Sequence, residues 1–214
     1  MSPSTIAMEP IVIDKVGDLV ICIPVAGTEN EVQEYLVCRR TVQRLYQDSV
    51  KNEMFVNPQQ VINVETAHPR DAATLAFLIA HAQFTKLPTQ LSESEFYDLL
   101  KFTNELGITH ILRPFAGKWS EDIDLAKVGE DGSMSKRLFI SWELGDRHSF
   151  DKLVTHVAFN VKLPSEGDFA EYLSESVWFK DFKDVFGPEG AEIFRSIVGK
   201  FIFPPLLLKA VITK

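Results

Sequence analysis

Between Leu91 and Trp119 the apolar positions recur with a helical period. Ser92 and Glu95 stand at the spacing of a capping box, in which the serine oxygen and the glutamate carboxylate each take up an unpaired backbone N–H of the first turn. A helix is therefore expected to begin at Ser92. Phe96, Leu99, Leu100 and Thr103 follow at steps of three and four and form one inward stripe, leaving Glu93, Lys101, Asn104 and Glu105 for water. Gly107 is the expected stop. A second short helix is predicted from about Thr109, with Ile111, Leu112 and Phe115 as its apolar contacts and Arg113-Pro114 as its interruption.

Upstream the period changes. Asp18 to Ile23 is a short apolar run rich in β-branched residues, set between Gly17 and Pro24, as expected of a central strand buried on both faces. Gly27, Thr28 and Asn30 supply turn chemistry, and Tyr35 to Cys38 resumes an extended segment, so a β-hairpin is predicted, with Cys22 and Cys38 on neighbouring strands. From Arg39 a helical pattern (Val42, Leu45, Tyr46, Val50) carries Arg39, Arg40 and Arg44 on its polar side. Val61 to Glu65 reads as a third strand after the Asn57-Pro58 break. His68-Pro69-Arg70-Asp71 then opens a helix, with proline in the first turn and a carboxylate near the positive end of the helix dipole. Its body, from Ala72 to Phe84, is apolar nearly all round, so other elements are expected to surround it.

Beyond Ser120 the chain turns polar and acidic (Glu121, Asp122, Asp124, Glu130, Asp131, with Gly129 and Gly132), as a connecting loop does. Lys136 to Leu144 is the next predicted helix, ended by Gly145. Asp146 is placed to cap a following one with Phe150, Leu153, Val154 and Val157 on its apolar face, which makes a helical hairpin. An aromatic-rich stretch from Phe169 to Phe186 precedes Gly187-Pro188, and Ile193, Ile197 and Phe201 mark a last helix up to Pro204-Pro205. The expected organisation is an N-terminal segment (1–14), an α+β domain (15–119), a linker (120–135) and a helical extension (136–214).

The segments GDLVICIP, EYLVCRRTVQRLYQDSV, ETAHPRDAATLAFLIAHAQFTKLP and LSESEFYDLLKFTNELGITHILRPFAGKW resemble the BTB/POZ domain in the divergent form common in fungal proteins. The last is the most specific. It has the Leu-Ser-x-x-Glu-aromatic start of that family, and Thr109 to Phe115 matches its His-Leu-x-Arg-Pro-aromatic close. The resemblance implies a small mixed sheet flanked by helices, with Asp18 matching the aspartate of the first strand. Two places depart from the pattern: Cys38-Arg39 stands where the better-known animal members carry a histidine, and Gln43 to Ser49 reproduces a compact Ser-aromatic turn only loosely. Trp142, Gly145 and Phe150 are placed by the resemblance in the helical extension that often follows such domains. The implied function is an intracellular protein–protein interaction module or adaptor, oligomerising with itself or another BTB/POZ protein. Recruitment of a cullin-type ubiquitin ligase is a narrower implication. Phe84, Leu87 and Tyr97 are the candidate protein-binding residues, as apolar side chains that a helix surface would expose.

Composition sharpens this by exclusion. The net charge is −8, and it is evenly spread: residues 1–120 hold 14 acids and 10 bases, residues 121–214 hold 16 and 12, so each half carries −4. Nucleic-acid binding rests on a basic face, and the one basic cluster, Arg39, Arg40 and Arg44, reads more simply as a solvated helix face. Two cysteines make no disulfide framework, and MSPSTIAMEP lacks the basic region and apolar core of a signal peptide, so a reducing cytoplasmic or nuclear location is expected. The apolar run Phe201 to Ile212 falls short of the about 20 residues a membrane span needs and is broken by Pro204, Pro205 and Lys209, so it reads as core. His68, His81, His110, His148 and His156 lack metal-ligand spacing, and Asp181 and Asp184 read as the wet side of a helix. With no phosphate loop, nucleophile elbow or paired carboxylates, no enzyme activity, cofactor or metal is expected. The alternative from another class is a small-molecule binder or cryptic enzyme with a pocket between the two halves, for which 16 Phe, 3 Trp and 4 Tyr could supply the lining.

Overall fold

The computed structural model describes residues 6–45, 61–127 and 134–160. The chain divides into two compact units, Met1–Ile123 and Asp124–Lys214. The first is of α+β class. Its sheet contains β1 (Ile6–Ala7), β2 (Ile11–Val12), β3 (Leu19–Pro24), β4 (Glu31–Val37) and β5 (Val61–Asn63). β3 and β4 form the expected antiparallel hairpin, and β5 joins the far side of β3 in parallel, which makes β3 internal. Leu19, Ile21, Cys22 and Ile23 are buried while Val20 is half-buried, so the strand is covered on both faces.

β1 and β2 were not anticipated. Both run parallel to β4 along its outer edge, Ile6 facing Glu31 and Ile11 facing Tyr35, so residues read as a terminal segment belong to the sheet. They form one strand broken at Pro10, which has no N–H to give to the ladder. At the break, the buried Gln33 side chain takes over and donates Nε2–H to the Glu9 carbonyl at 2.9 Å. Cys22 and Cys38 do not face each other: Cys22 lies opposite Glu34, and Cys38 stands beyond the end of β4. Both thiols are free. Burial and the neighbouring Glu34 carboxylate raise the Cys22 pKa, so it stays a neutral, inert thiol.

α1 (Arg39–Leu45) begins where the Asp18 carboxylate accepts the Arg39 N–H at 2.8 Å. Val42 alone of its residues is buried. α2 (Arg70–Ala80) is capped by Pro69, one residue before the predicted first-turn position, and buries Ala72, Ala73, Ala76, Phe77, Leu78 and Ile79. It is shorter than expected. His81 leaves the helix, Ala82 takes a left-handed φ of 54°, and the apolar run to Phe84 is carried by a 3-10 turn, Phe84–Lys86. The His81 ring stabilises this end from both nitrogens: Nδ1 lies 2.9 Å from the Phe77 carbonyl, and Nε2 accepts the Cys38 N–H at 3.0 Å. Gln83 adds a bond from Nε2 to the Ile13 carbonyl. A histidine from the end of α2 thus ties down the turn after β4.

α3 (Glu93–Leu106) has the predicted capping box and ends on Gly107 at φ 74°. Phe96, Leu99, Leu100 and Thr103 are buried as expected, and Tyr97 and Phe102 widen the stripe. Glu105 is not left wholly to water: half-buried, its Oε2 sits 3.2 Å from Nε2 of the buried His68. A 3-10 turn (Thr109–Leu112) leads into α4 (Arg113–Ser120), where Pro114 occupies the first turn. Proline therefore starts this helix and does not interrupt it, because the first-turn N–H it lacks has no intrahelical partner anyway. The core lies between sheet and helices, where Tyr35, Phe77 and Phe102 pack in sequence at centroid distances of 5.1 and 6.0 Å. The Tyr35 hydroxyl, donating to the Arg70 carbonyl at 3.0 Å, is pushed up to about 12 by burial.

In the second unit α5 (Met134–Leu144) and α6 (Arg147–Asn160) form the predicted hairpin around Gly145 at φ 69°. α5 starts two residues early, with Met134 and Ser135 already buried. Asp146 caps α6, accepting the Ser149 N–H at 3.2 Å. The buried Arg137 donates to the Lys127 carbonyl at 3.0 Å. The readings for Tyr46, Val50, Asn57-Pro58, the Val157 side chain and residues 161–214, including Asp181 and Asp184, lie outside the described residues.

Ser92→Ala tests the capping box. The Ser92 Oγ accepts the Glu95 N–H at 3.3 Å while Glu95 Oε2 accepts the Ser92 N–H at 2.8 Å and its O–H at 2.6 Å. Those bonds from Ser92 hold the Glu95 pKa below its ordinary 4.5. The variant is expected to lose about 1 kcal/mol in urea unfolding at neutral pH. A depressed carboxylate pKa stabilises the fold above the unfolded value, and that contribution goes as pH falls from about 4.5 through the folded pKa. The wild-type advantage should therefore shrink on acidification, and an advantage that is constant with pH would refute the reciprocal box.

Candidate interaction surface

The sequence places an aromatic residue at the exit of α2, in the close of the α3–α4 region and at the end of α4, and the fold brings them into one line. Phe96 is buried in α3, and its ring meets Trp119 edge-on at 6.1 Å. Trp119 is only 2% exposed, with its indole N–H donated to the Pro88 carbonyl at 3.2 Å. Phe115 stacks on Trp119 at 5.3 Å and 26°, and Phe84 lies over Phe115 at 5.4 Å. This path runs from the core to the surface. Phe115 is half-buried and Phe84 remains 53% exposed.

Each position follows from local structure. Phe115 and Trp119 are four residues apart on α4 and so share a face. The left-handed Ala82 turns the chain away from the α2 axis, and the 3-10 turn then sets Phe84 on the outer side of Phe115. Bonding Pro88 to Trp119 pins the other end of this segment. A ring held in this way loses little freedom when a partner covers it, which favours contact over a flexible side chain.

Of the candidate residues, Phe84 is exposed, Leu87 is half-buried next to it, and Tyr97 is 6% exposed. Tyr97 is thus part of the packed stripe of α3 and offers no ring to a partner in this arrangement. Phe115, expected only as an apolar contact of its helix, and Trp119 back this patch from α4. Val12 and Val61, also exposed, lie on strands at opposite margins of the sheet, and Val16 lies in the turn before β3.

The chemistry of the remaining candidates is limited. Among the described residues no group of three or more His, Cys, Asp or Glu side chains could hold a metal ion. His148 and His156 share α6, eight residues apart, about 12 Å by helical rise. Among those residues no helix is long and apolar enough to cross a membrane. No family model, curated protein or solved structure matches the chain.

Proposed function

We propose that the chain is a protein–protein interaction module of BTB/POZ type, associating with itself or with another chain of that kind, and that Phe84 and Leu87 belong to the contact. The observation that carries this is the Phe84 ring, half in water, resting on Phe115 and backed through it by Trp119. The order of elements is in keeping with it: a β-hairpin, a helix, a third strand, a buried helix and a closing helical pair. Adaptor activity through a cullin-type ubiquitin ligase is an extension of the same reading, decided by mixing the purified components.

Sedimentation equilibrium of the full chain at tens of micromolar is expected to give a dimer or larger species. Phe84→Asp should move it toward monomer, weakening association by at least tenfold, while the melting temperature changes little because the ring is half exposed already. A wild-type monomer that also retains no partner on affinity purification from native cells would remove the proposal.

A further inference from the structure

The turn of the α5–α6 hairpin carries a cavity of about 250 Å³, lined by Ser141, Trp142, Gly145, Asp146, Arg147 and Phe150. Two of its lining residues are aromatic. Trp142 stands in the last turn of α5 and Phe150 in the first turn of α6, with ring centroids 5.4 Å apart and planes inclined at 47°, and Trp142 is 56% exposed. Their placing is built into the turn: Gly145 N–H is bonded to the Trp142 carbonyl at 3.1 Å and Asp146 N–H to the Ser141 carbonyl at 2.9 Å. The Ser141 hydroxyl is turned inward to the Leu138 carbonyl at 2.9 Å, which leaves the lining mostly apolar.

The charged groups at the mouth are unequal. Asp146 is held below its ordinary pKa, chiefly by the hydrogen bond from Ser149, so its carboxylate is ionised across the physiological range. Arg147 points into solvent, 91% exposed, and its Nε lies 3.5 Å from Asp151 Oδ2 one turn on. Asp146 is therefore the anionic group of a lining that also includes Arg147, with His148 close to the carboxylate. Two inclined aromatic rings and a carboxylate on one lining favour a cation, and the apolar surroundings select a weakly hydrated one, since a small ammonium or metal ion would lose more water than two rings replace. The volume lies below the about 300–1,000 Å³ of sites for drug-sized ligands, which suits a headgroup.

We propose that this cavity binds an alkylated organic cation, a quaternary ammonium group carried either by a free small molecule or by a methylated basic side chain of a partner peptide. Calorimetric titration of the full chain with choline tests it against 3,3-dimethylbutan-1-ol, a neutral compound of the same shape. Choline is expected to bind saturably and at least tenfold more tightly than the neutral compound. Asp146→Asn, which keeps the helix cap but removes the charge, and Trp142→Ala should each weaken choline by at least fivefold, while Trp142→Phe keeps most of the binding. A trimethyl-lysine peptide that binds more tightly than choline identifies the partner as a protein, and equal or weaker binding identifies a free ligand. Failure of both cations to saturate, equal binding of the neutral compound, or a D146N variant that binds choline like wild type overturns the site.

Discussion

Phe102→Ala is expected to destabilise the Met1–Ile123 unit by about 3–5 kcal/mol, the usual range for a fully buried phenylalanine. Phe102 is completely buried in α3 and packs edge-on against Phe77 at 6.0 Å and 83°. Its other neighbour is His68, 4.8 Å away at 76°, whose Nε2 in turn approaches Glu105. Removing the ring therefore opens a cavity beside the His68–Glu105 pair as well as in the apolar stack. A domain of ordinary stability, about 5–15 kcal/mol, loses a large share of it. Because the chain has two compact units, the readout should be specific to the first: hydrogen exchange of the α3 amides should accelerate by the same free energy that urea unfolding reports. Phe102→Leu, which fills most of the space, should cost about half as much or less. A Phe102→Ala protein within 1 kcal/mol of wild type would place the core elsewhere.

The helix that carries Phe102 was legible because everything that defines it is local. Ser92, Glu95 and Gly107 act within one or two turns, and so did Gly145 and Asp146 for the second hairpin. The misreadings share the opposite property. β1 and β2 are two residues each, too short to show a period, and they exist only because the edge of β4 is there to pair with. The end of α2 is set by His81 and Gln83 reaching Cys38 and Ile13, residues 43 and 70 positions away, so an apolar run that continues to Phe84 could not reveal it. Pro114 is compatible locally with either a break or a start, and the preceding 3-10 turn decides for the start. At the candidate surface, Phe84 was identifiable as an apolar residue near a helix end. The roles of Phe115 and Trp119 depend on α4 packing back against that end, which spacing alone does not express. Tyr97 is not a surface residue because the buried stripe of α3 is wider than the minimal three-and-four pattern by two positions, Tyr97 and Phe102.

Gly17→Ala is expected to cost about 1–3 kcal/mol, by overpacking at a point where backbone meets backbone. Gly17 ends the turn that follows β2, its N–H bonded to the Asp14 carbonyl at 3.0 Å. A Cβ there would lie 2.8 Å from the Val37 carbonyl oxygen, 3.0 Å from the Asp14 carbonyl oxygen and 3.0 Å from Leu36 Cγ. Val37 O is the acceptor for the Asp18 N–H at 3.1 Å, so it cannot retreat without loosening the junction of β3 and β4. The strain should also reach α1, since the Asp18 carboxylate holds the Arg39 N–H. Two comparisons isolate the cause. Trimming Leu36 to alanine in the Gly17→Ala background should restore nothing, because the nearest obstacle is a carbonyl and not a side chain. Gly117→Ala, on α4 with open space around its added Cβ, should instead stabilise by about 0.5–1 kcal/mol through helix propensity. Equal responses at Gly17 and Gly117 in urea unfolding would mean that the close approach of the β2–β3 turn to the end of β4 is wrong, and with it the parallel placement of the N-terminal strands.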